Sequence, residues 1–272
     1  MSAKPLLDPE GFNQLRATRS GPLLYNRHDI YVGGSVAKYG EFSWAEQELF
    51  RQVVVPGTVL VEVGANIGAH TVYLAQRVGA AGTVHAFEPQ RLVFQNLCAN
   101  LALNQLTNVF AYQMALGDQT GTLLVPPMDP NTAGNFGGVT LRGVTAGEPV
   151  PLSMLDNLQL PACHFIKADV EGMEVEVING AVQTIDRHRP VLFLENDRRD
   201  RSAELITLVS QLDYDMYWNL APLFNPDNFA REAEDIFNTI VSINVLCCPK
   251  ERSIVVNGMR KVAGPDDWWK NG

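Results

Sequence analysis

The sequence predicts an α/β fold, a doubly wound and mostly parallel sheet with helices on both faces. Three observations carry that prediction. Near-continuous apolar runs such as Val59–Val63 and Pro190–Leu194 are what a sheet covered on both faces demands. From about residue 58 such runs alternate with segments of helical periodicity. The first run ends at Glu62 and Val63 in a glycine-bearing turn, Gly64-Ala-Asn-Ile-Gly68, and the next strand along the chain, Val84-His-Ala-Phe87, delivers Glu88. A turn that admits a ligand to the backbone, then an acid ~20 residues on, is how this fold grips an adenosine.

The elements follow in order. Residues 1–40 are rich in Gly and Pro and predict irregular chain. Ser43-Trp-Ala-Glu46 has the form of a capping box, and opens an amphipathic helix with Trp44, Leu49, Phe50 and Val53 on its apolar face. Pro56-Gly57 closes that helix with a turn. Strands are expected at 58–63, 83–87 and 108–113, helices at 68–78 and 90–103, and a short strand pair near 114–125. Beyond them come a strand at 164–168, a helix from near Gly172, a strand at 190–195 and a helix at 202–212. Strands near 214–218 and 239–247 complete the series. Met128 to Pro149, with its run Asn131–Gly138, is a loop long enough to be a substrate lid or a mobile insertion. Asn135 and Phe136 are its candidates for touching an acceptor. The tail Gly264–Gly272, with Trp268 and Trp269, reads as a frayed end. These readings make residues 1–272 one domain: an N-terminal extension and cap helix (1–52), a core (53–250) and a tail (251–272).

Composition narrows the partners. The chain has 272 residues and a net charge of −9, which disfavours nucleic acid and anionic membranes. The opening Met1-Ser-Ala-Lys-Pro5 lacks the charged and apolar regions of a signal peptide. No run reaches the ~18 apolar residues of a membrane span. Cys98, Cys163, Cys247 and Cys248 show no metal-ligand spacing, and the last three read as buried thiols in a reducing, cytoplasmic setting. The aromatics of the first helix leave a homodimer open.

The turn also says which ligand to expect. A dinucleotide fingerprint, G-x-G-x-x-G, needs a glycine where Asn66 stands and another where Ala69 stands. No G-x-x-x-x-G-K-[ST] run occurs. A side chain at position 66 crowds a pyrophosphate but not the sulfonium and amino-acid end of S-adenosylmethionine. A nucleotide-dependent oxidoreductase and a non-catalytic cofactor-binding module are the competing classes.

A second constellation is His164-Phe-Ile-Lys-Ala-Asp-Val-Glu-Gly-Met-Glu174. Its strand runs into Asp169, so Glu62, Glu88, Asp169 and Glu195 each end a predicted strand and should rim one crevice. Four clustered carboxylates are costly without a task or a cation. Val-Gly-Ala-Asn-Ile-Gly, Phe-Glu-Pro and Lys-Ala-Asp-Val-Glu-Gly-Met-Glu together resemble the FkbM family of S-adenosylmethionine-dependent methyltransferases, over roughly residues 40–196. The resemblance implies a class I methyltransferase sheet of seven strands, the last antiparallel, and O-methylation of a small-molecule acceptor, a sugar or secondary-metabolite hydroxyl. It implies that Glu62, Gly64, Ala65, Asn66 and Gly68 hold the methionine end, with His70 and Thr71 opening the adjoining helix. Glu88, followed by Pro89, would bind the ribose, Ala115 and Leu116 the adenine, and Asp169 and Val170 would lie beside the sulfonium. No histidine is placed as a base, which leaves Asp169 first, then Glu171 and Glu195. Asp169 with Glu195-Asn196 also resembles the acid and acid-asparagine set of catechol-type O-methyltransferases, which would admit Mg²⁺ or Ca²⁺. Arg198, Arg199 and Arg201 beside that edge read as a solvated helix start or an anion contact.

Overall fold

A computed structural model of the chain describes residues 7–271; the opening pentapeptide and Gly272 lie outside the described residues. Its centre is an eight-stranded sheet. The parallel strands are β3 (Val59–Val63), β4 (Thr83–Phe87), β5 (Val109–Tyr112), β9 (Phe165–Ala168) and β10 (Val191–Glu195). β11 (Tyr214–Pro222), β12 (Val241–Pro249) and β13 (Arg260–Lys261) complete it in the order β13-β11-β12-β10-β9-β3-β4-β5. β12 runs antiparallel between β10 and β11. Seven strands were expected; the eighth is the two-residue β13, paired to Tyr217 and Trp218.

Helices α3 (Ala69–Val78), α4 (Arg91–Leu103), α5 (Glu174–Asn179), α6 (Val182–His188) and α7 (Arg199–Gln211) connect the strands. Two apolar layers cover the sheet. One packs Ile166, Leu192 and Leu194 against Ile178, Ile185 and Ile206; the other packs Leu60, Phe165 and Phe193 against Phe50 and Leu74. At roughly 1.5–3 kcal/mol for each fully buried large apolar side chain, these layers fix the strand tips rigidly. The order reverses between β3 and β9, and open α/β sheets accommodate ligands in the crevice outside the carboxyl ends of strands at such a point.

Several sequence expectations change. Residues 7–40 are not irregular chain: β1 (Asn13–Thr18) and β2 (Gly21–Asn26) form an antiparallel hairpin, followed by α1 (Val32–Tyr39). Its alternation was hidden among glycines and prolines. The helix after it, α2 (Trp44–Val53), forms without the capping box. Ser43 takes φ 41° and its hydroxyl, buried, makes no hydrogen bond. Glu46 turns inward instead, because buried partners outbid a surface cap. The aromatics of α2 are covered by the chain itself: Phe50 is buried in the core, and Trp44 lies under the Arg19 guanidinium, 4.2 Å away, and beside Tyr73.

The expected strand pair near 114–125 is also different. β6 (Ala115–Leu116) and β7 (Gly121–Val125) pair not with each other but with β8 (Glu148–Ser153), whose start lay inside the expected loop. The tail is docked rather than frayed. Trp268 packs edge-on against Trp218, and Asp267 accepts from Trp218 Nε1 at 3.1 Å while pairing with Arg260 at 2.7 Å. No described helix is long and apolar enough to cross a membrane. Cys163, Cys247 and Cys248 are buried free thiols.

Candidate active site

The turn after β3 is shaped by backbone. Gly64 takes φ +80°, and a Cβ there would collide with the Asp169 carbonyl oxygen, so the tips of β3 and β9 meet main chain to main chain. Gly64 and Ala65 donate their N–H groups to the Phe87 carbonyl, at 3.0 and 2.9 Å. Asn66 follows with φ 51°, a left-handed conformation that asparagine tolerates better than most side chains. Its Oδ1 accepts from the Ile67 N–H at 2.6 Å.

Glu88 locks this turn to the next strand. Its two carboxylate oxygens accept from the Asn66 N–H at 2.9 Å and the Gln90 N–H at 2.8 Å. Burial pushes its pKa up to about 7, against the pull of those two donors. Glu62 is equally enclosed. It accepts from Thr71 Oγ1 at 2.6 Å, and burial raises its pKa while Lys167 and His70 oppose the rise.

The four strand-end acids do share one crevice. Glu62, Glu88, Asp169 and Glu195 line a cavity of about 480 Å³, together with Ala65, Asn66, His70 and Asn135. A narrower, mostly apolar slot adjoins it, lined by Phe87, Pro89, Ala115, Leu116, Val139, Leu141, Val170 and Met173. The two share Gly64, Glu88, Gly137, Asp169 and Glu171. Gly68 and Thr71 stand behind this surface: Gly68 begins α3, and Thr71, fully buried, serves Glu62.

At the junction the charges are unequally answered. Lys167, 2 % exposed, places Nζ 3.0 Å from Asp169 Oδ2. Burial alone would discharge that ammonium, but Asp169, Glu62 and Glu46 raise its pKa above the usual lysine value. His70 Nε2 lies 3.0 Å from Glu46 Oε2, and Asn244 Nδ2 donates to Glu46 Oε1 at 2.9 Å. Burial would raise the Glu46 pKa, yet His70, Lys167 and Asn244 together hold it below the ordinary value. His70 is therefore tied to the cap helix α2.

Glu171 (φ 55°) pairs with the Arg198 guanidinium; burial and Asp169 lift its pKa to about 7. Glu174 is also lifted to about 7 by burial, and it accepts from the Val170 N–H at 3.0 Å, bracing the segment after Asp169. Glu195 is pushed well above its ordinary value by burial and then by Asp169 and Glu171, and its Oε2 has no hydrogen-bond partner.

One carboxylate oxygen each from Asp169, Glu171 and Glu195 lies within 4.8 Å of the others, a donor set and spacing that fit a hard divalent cation. Asn196 is not part of it. It is buried, bonded through its N–H to Ile243, and absent from the cavity lining, so Glu171 takes the position expected of Asn196. Arg198 is spent on Glu171 and Asp197, and Arg201 on Glu176 and Glu204.

The long loop is held down rather than mobile. Gly134 bonds His28 and Ile30 through its N–H and carbonyl, both at 3.0 Å, and Asn26 Nδ2 donates to Pro130 at 2.9 Å. Gln90 Nε2 donates to the Phe136 carbonyl at 2.7 Å. Asn135 reaches the cavity, but Phe136 does not. Its ring is buried among Leu23, Tyr25, Val32 and Ile67 and pegs the loop to the N-terminal segment. Sequence reasoning missed Tyr31, Val32, Phe42, Leu223 and Ile243, which wall the far side of the cavity. They come from stretches that carry no motif pointing to a ligand. It also passed over Lys167, although a lysine inside an apolar strand is itself a signal.

A family model, the Methyltransferase FkbM domain, matches residues 62–216, more than half of the chain. The chain belongs to the FkbM methyltransferase family. Similar proteins include Methyltransferase sdnD of Sordaria araneosa, 32% identical over 155 residues, covering 44% of this chain and 59% of that one. The Hexuronic acid methyltransferase AglP of Haloferax volcanii is 26% identical over 132 residues, covering 47% and 51%. The chain thus spans about half the length of the curated relatives it matches. Among solved structures, Methyltransferase FkbM from Methylobacillus flagellatus is 20% identical with a TM-score of 0.49, covering 74% of this chain and 50% of that one.

Proposed function

We propose that the chain binds S-adenosylmethionine and transfers its methyl group to a hydroxyl of a small-molecule acceptor, a sugar or secondary metabolite. The observation that carries this reading is the junction of two cavities at Gly64 and Asp169, one slot apolar and one crevice polar. Adenine takes the slot of Ala115, Leu116 and Leu141, and the ribose hydroxyls take the cavity-facing lone pairs of Glu88. The methionine end lies along Gly64, Ala65 and Asn66, with its carboxylate toward the start of α3. The sulfonium then stands beside Asp169, facing the wide cavity.

Transfer is an in-line displacement. The acceptor oxygen forms a bond to the methyl carbon as the S–C pair returns to sulfur, leaving a neutral thioether. The acceptor proton passes to a carboxylate, and Asp169, which lines both cavities at the tip of β9, is the first candidate. Holding oxygen and methyl in line contributes ~7–11 kcal/mol, and general-base help ~10²–10⁴-fold. Glu171 and Glu195, lifted by burial, are the second and third candidates. The alternative of a nicotinamide-dependent oxidoreductase is opposed by Asn66, which stands where the dinucleotide fingerprint needs a glycine.

The spacing of Asp169, Glu171 and Glu195 favours a second, metal-assisted version. A divalent cation held there would lower the pKa of the acceptor hydroxyl. Lys167 and Arg198 already answer two of the three carboxylates, so the metal-free version comes first.

Calorimetry with S-adenosylhomocysteine and with NADH, followed by transfer of a labelled methyl group to a panel of glycosides and phenols, tests the reading. Binding of the thioether alone, with label on an acceptor oxygen, is the expected result. Preference for the dinucleotide would end it. Activity lost to chelator and restored by Mg²⁺ would select the metal-assisted version.

A further inference from the structure

Lys167 is the one fully buried ammonium at the carboxyl edge of the sheet among the described residues, and the proposed chemistry leaves it without a task. It sits in β9, two residues before Asp169, and lines the wide cavity next to Glu62 and His70. Its ammonium faces three acids on three elements: Asp169 after β9, Glu62 in β3 and Glu46 in α2. Only Asp169 is within bonding distance, at 3.0 Å through Oδ2.

The reaction discharges a cation. Sulfonium becomes thioether, so every uncompensated carboxylate at the junction binds substrate cofactor more tightly than it binds the transition state or product. Such preferential ground-state binding raises the barrier and slows turnover. Glu62, Glu88, Asp169 and Glu195 all line the cavity at this point, and each of them that is ionised adds to an excess of negative charge in a low-dielectric pocket. A fixed ammonium within the same wall reduces that excess, and its bond to Oδ2 leaves Oδ1 of Asp169 for the acceptor proton.

We propose that Lys167 is a positioning residue that sets the charge felt at the methyl group: it pins Asp169 and keeps the pocket from favouring the charged cofactor over its neutral product. This rests on the methyl-transfer reading above.

Two cofactor analogues test it on the full chain without a known acceptor. Sinefungin carries an amine where the methyl sulfonium stands, and S-adenosylhomocysteine is neutral there. Calorimetry of both against wild type and Lys167→Gln gives the ratio of their affinities. The expected result is a preference for sinefungin that grows by at least about 10-fold in Lys167→Gln, as one screened charge near a cation implies. A purely structural lysine would weaken both ligands alike and leave the ratio unchanged, which overturns the proposal. Should the single variant not fold, Asp169→Asn and the double variant Lys167→Gln/Asp169→Asn, which removes the pair together, replace it. The double variant should exceed Asp169→Asn in sinefungin preference by about the same factor, and equality overturns the proposal. Wild-type protein that binds neither analogue overturns the methyl-transfer reading beneath it, a result distinct from an unmoved ratio.

Discussion

The two halves of the crevice are built on opposite plans. On the β3–β4 side, the carboxylates of Glu62 and Glu88 are enclosed and already hydrogen-bonded to a hydroxyl and to two backbone amides. On the β9–β10 side, Glu195 has an oxygen with no partner, and Asp169 and Glu171 are each met by a single cation. A side whose acids are spent on its own backbone is rigid before any ligand arrives. A side whose acids are crowded and under-satisfied holds protons or cations in exchange for ligand. The first suits an invariant cofactor, and the second suits chemistry.

That contrast can be broken by experiment, and the largest expected effect is at Asp169. Asp169→Asn should lower turnover by ~10²–10⁴-fold while changing cofactor affinity much less. A variant that binds poorly but turns over normally at saturation would move the base elsewhere. Next comes the peg of the loop. Phe136→Ala should cost ~3 kcal/mol or more in unfolding free energy, the usual penalty for emptying a buried phenyl site, and should raise KM for the acceptor. An unchanged denaturant midpoint would show that the loop stands without its peg.

Glu88→Ala should weaken S-adenosylhomocysteine by roughly 1.5–3 kcal/mol for each charge-assisted bond to ribose that is lost. Equal affinity in calorimetry would remove Glu88 from the cofactor site. The smallest effect is a pH dependence. Glu88, with its pKa raised to about 7 from the ordinary 4.5, holds a proton in the folded chain that the unfolded chain has released. Ligand-free stability from this group should therefore be highest below about pH 4.5 and fall as pH rises through about 7. Ribose hydroxyls prefer the ionised carboxylate, so cofactor binding should strengthen across the same interval and release a proton. Calorimetry in two buffers of different ionisation heat measures that proton, and a null result would place the ribose on another group.

The same division explains what could be read from the sequence. The β3–β4 side, proposed for the cofactor, is local: Gly64, Asn66 and Glu88 announce themselves by conformational need and spacing, and the strands that carry them match the sequence expectation within a residue or two. The far wall of the wide cavity, proposed for the acceptor, is assembled from chain far apart. Tyr31 and Phe42 come before the first strand of the main sheet, while Leu223 and Ile243 come near its end, and no short-range pattern marks residues that meet only after folding. The capping box at Ser43 failed for a related reason. Glu46 had a better partner, His70, on a different helix. Phe136 was taken for a contact surface because its loop is polar and glycine-rich, whereas burial among Leu23, Tyr25 and Val32 gives it a mechanical role.

The bonds that join Gly134 to His28 and Ile30 carry an evolutionary consequence. Roof and anchor are one unit although a hundred positions separate them in the gene. A graft of the glycine-rich stretch alone into a relative would arrive without its moorings. Sequence change in such a scaffold would then be expected in pairs, in which the segment after the leading hairpin and the loop it holds vary together.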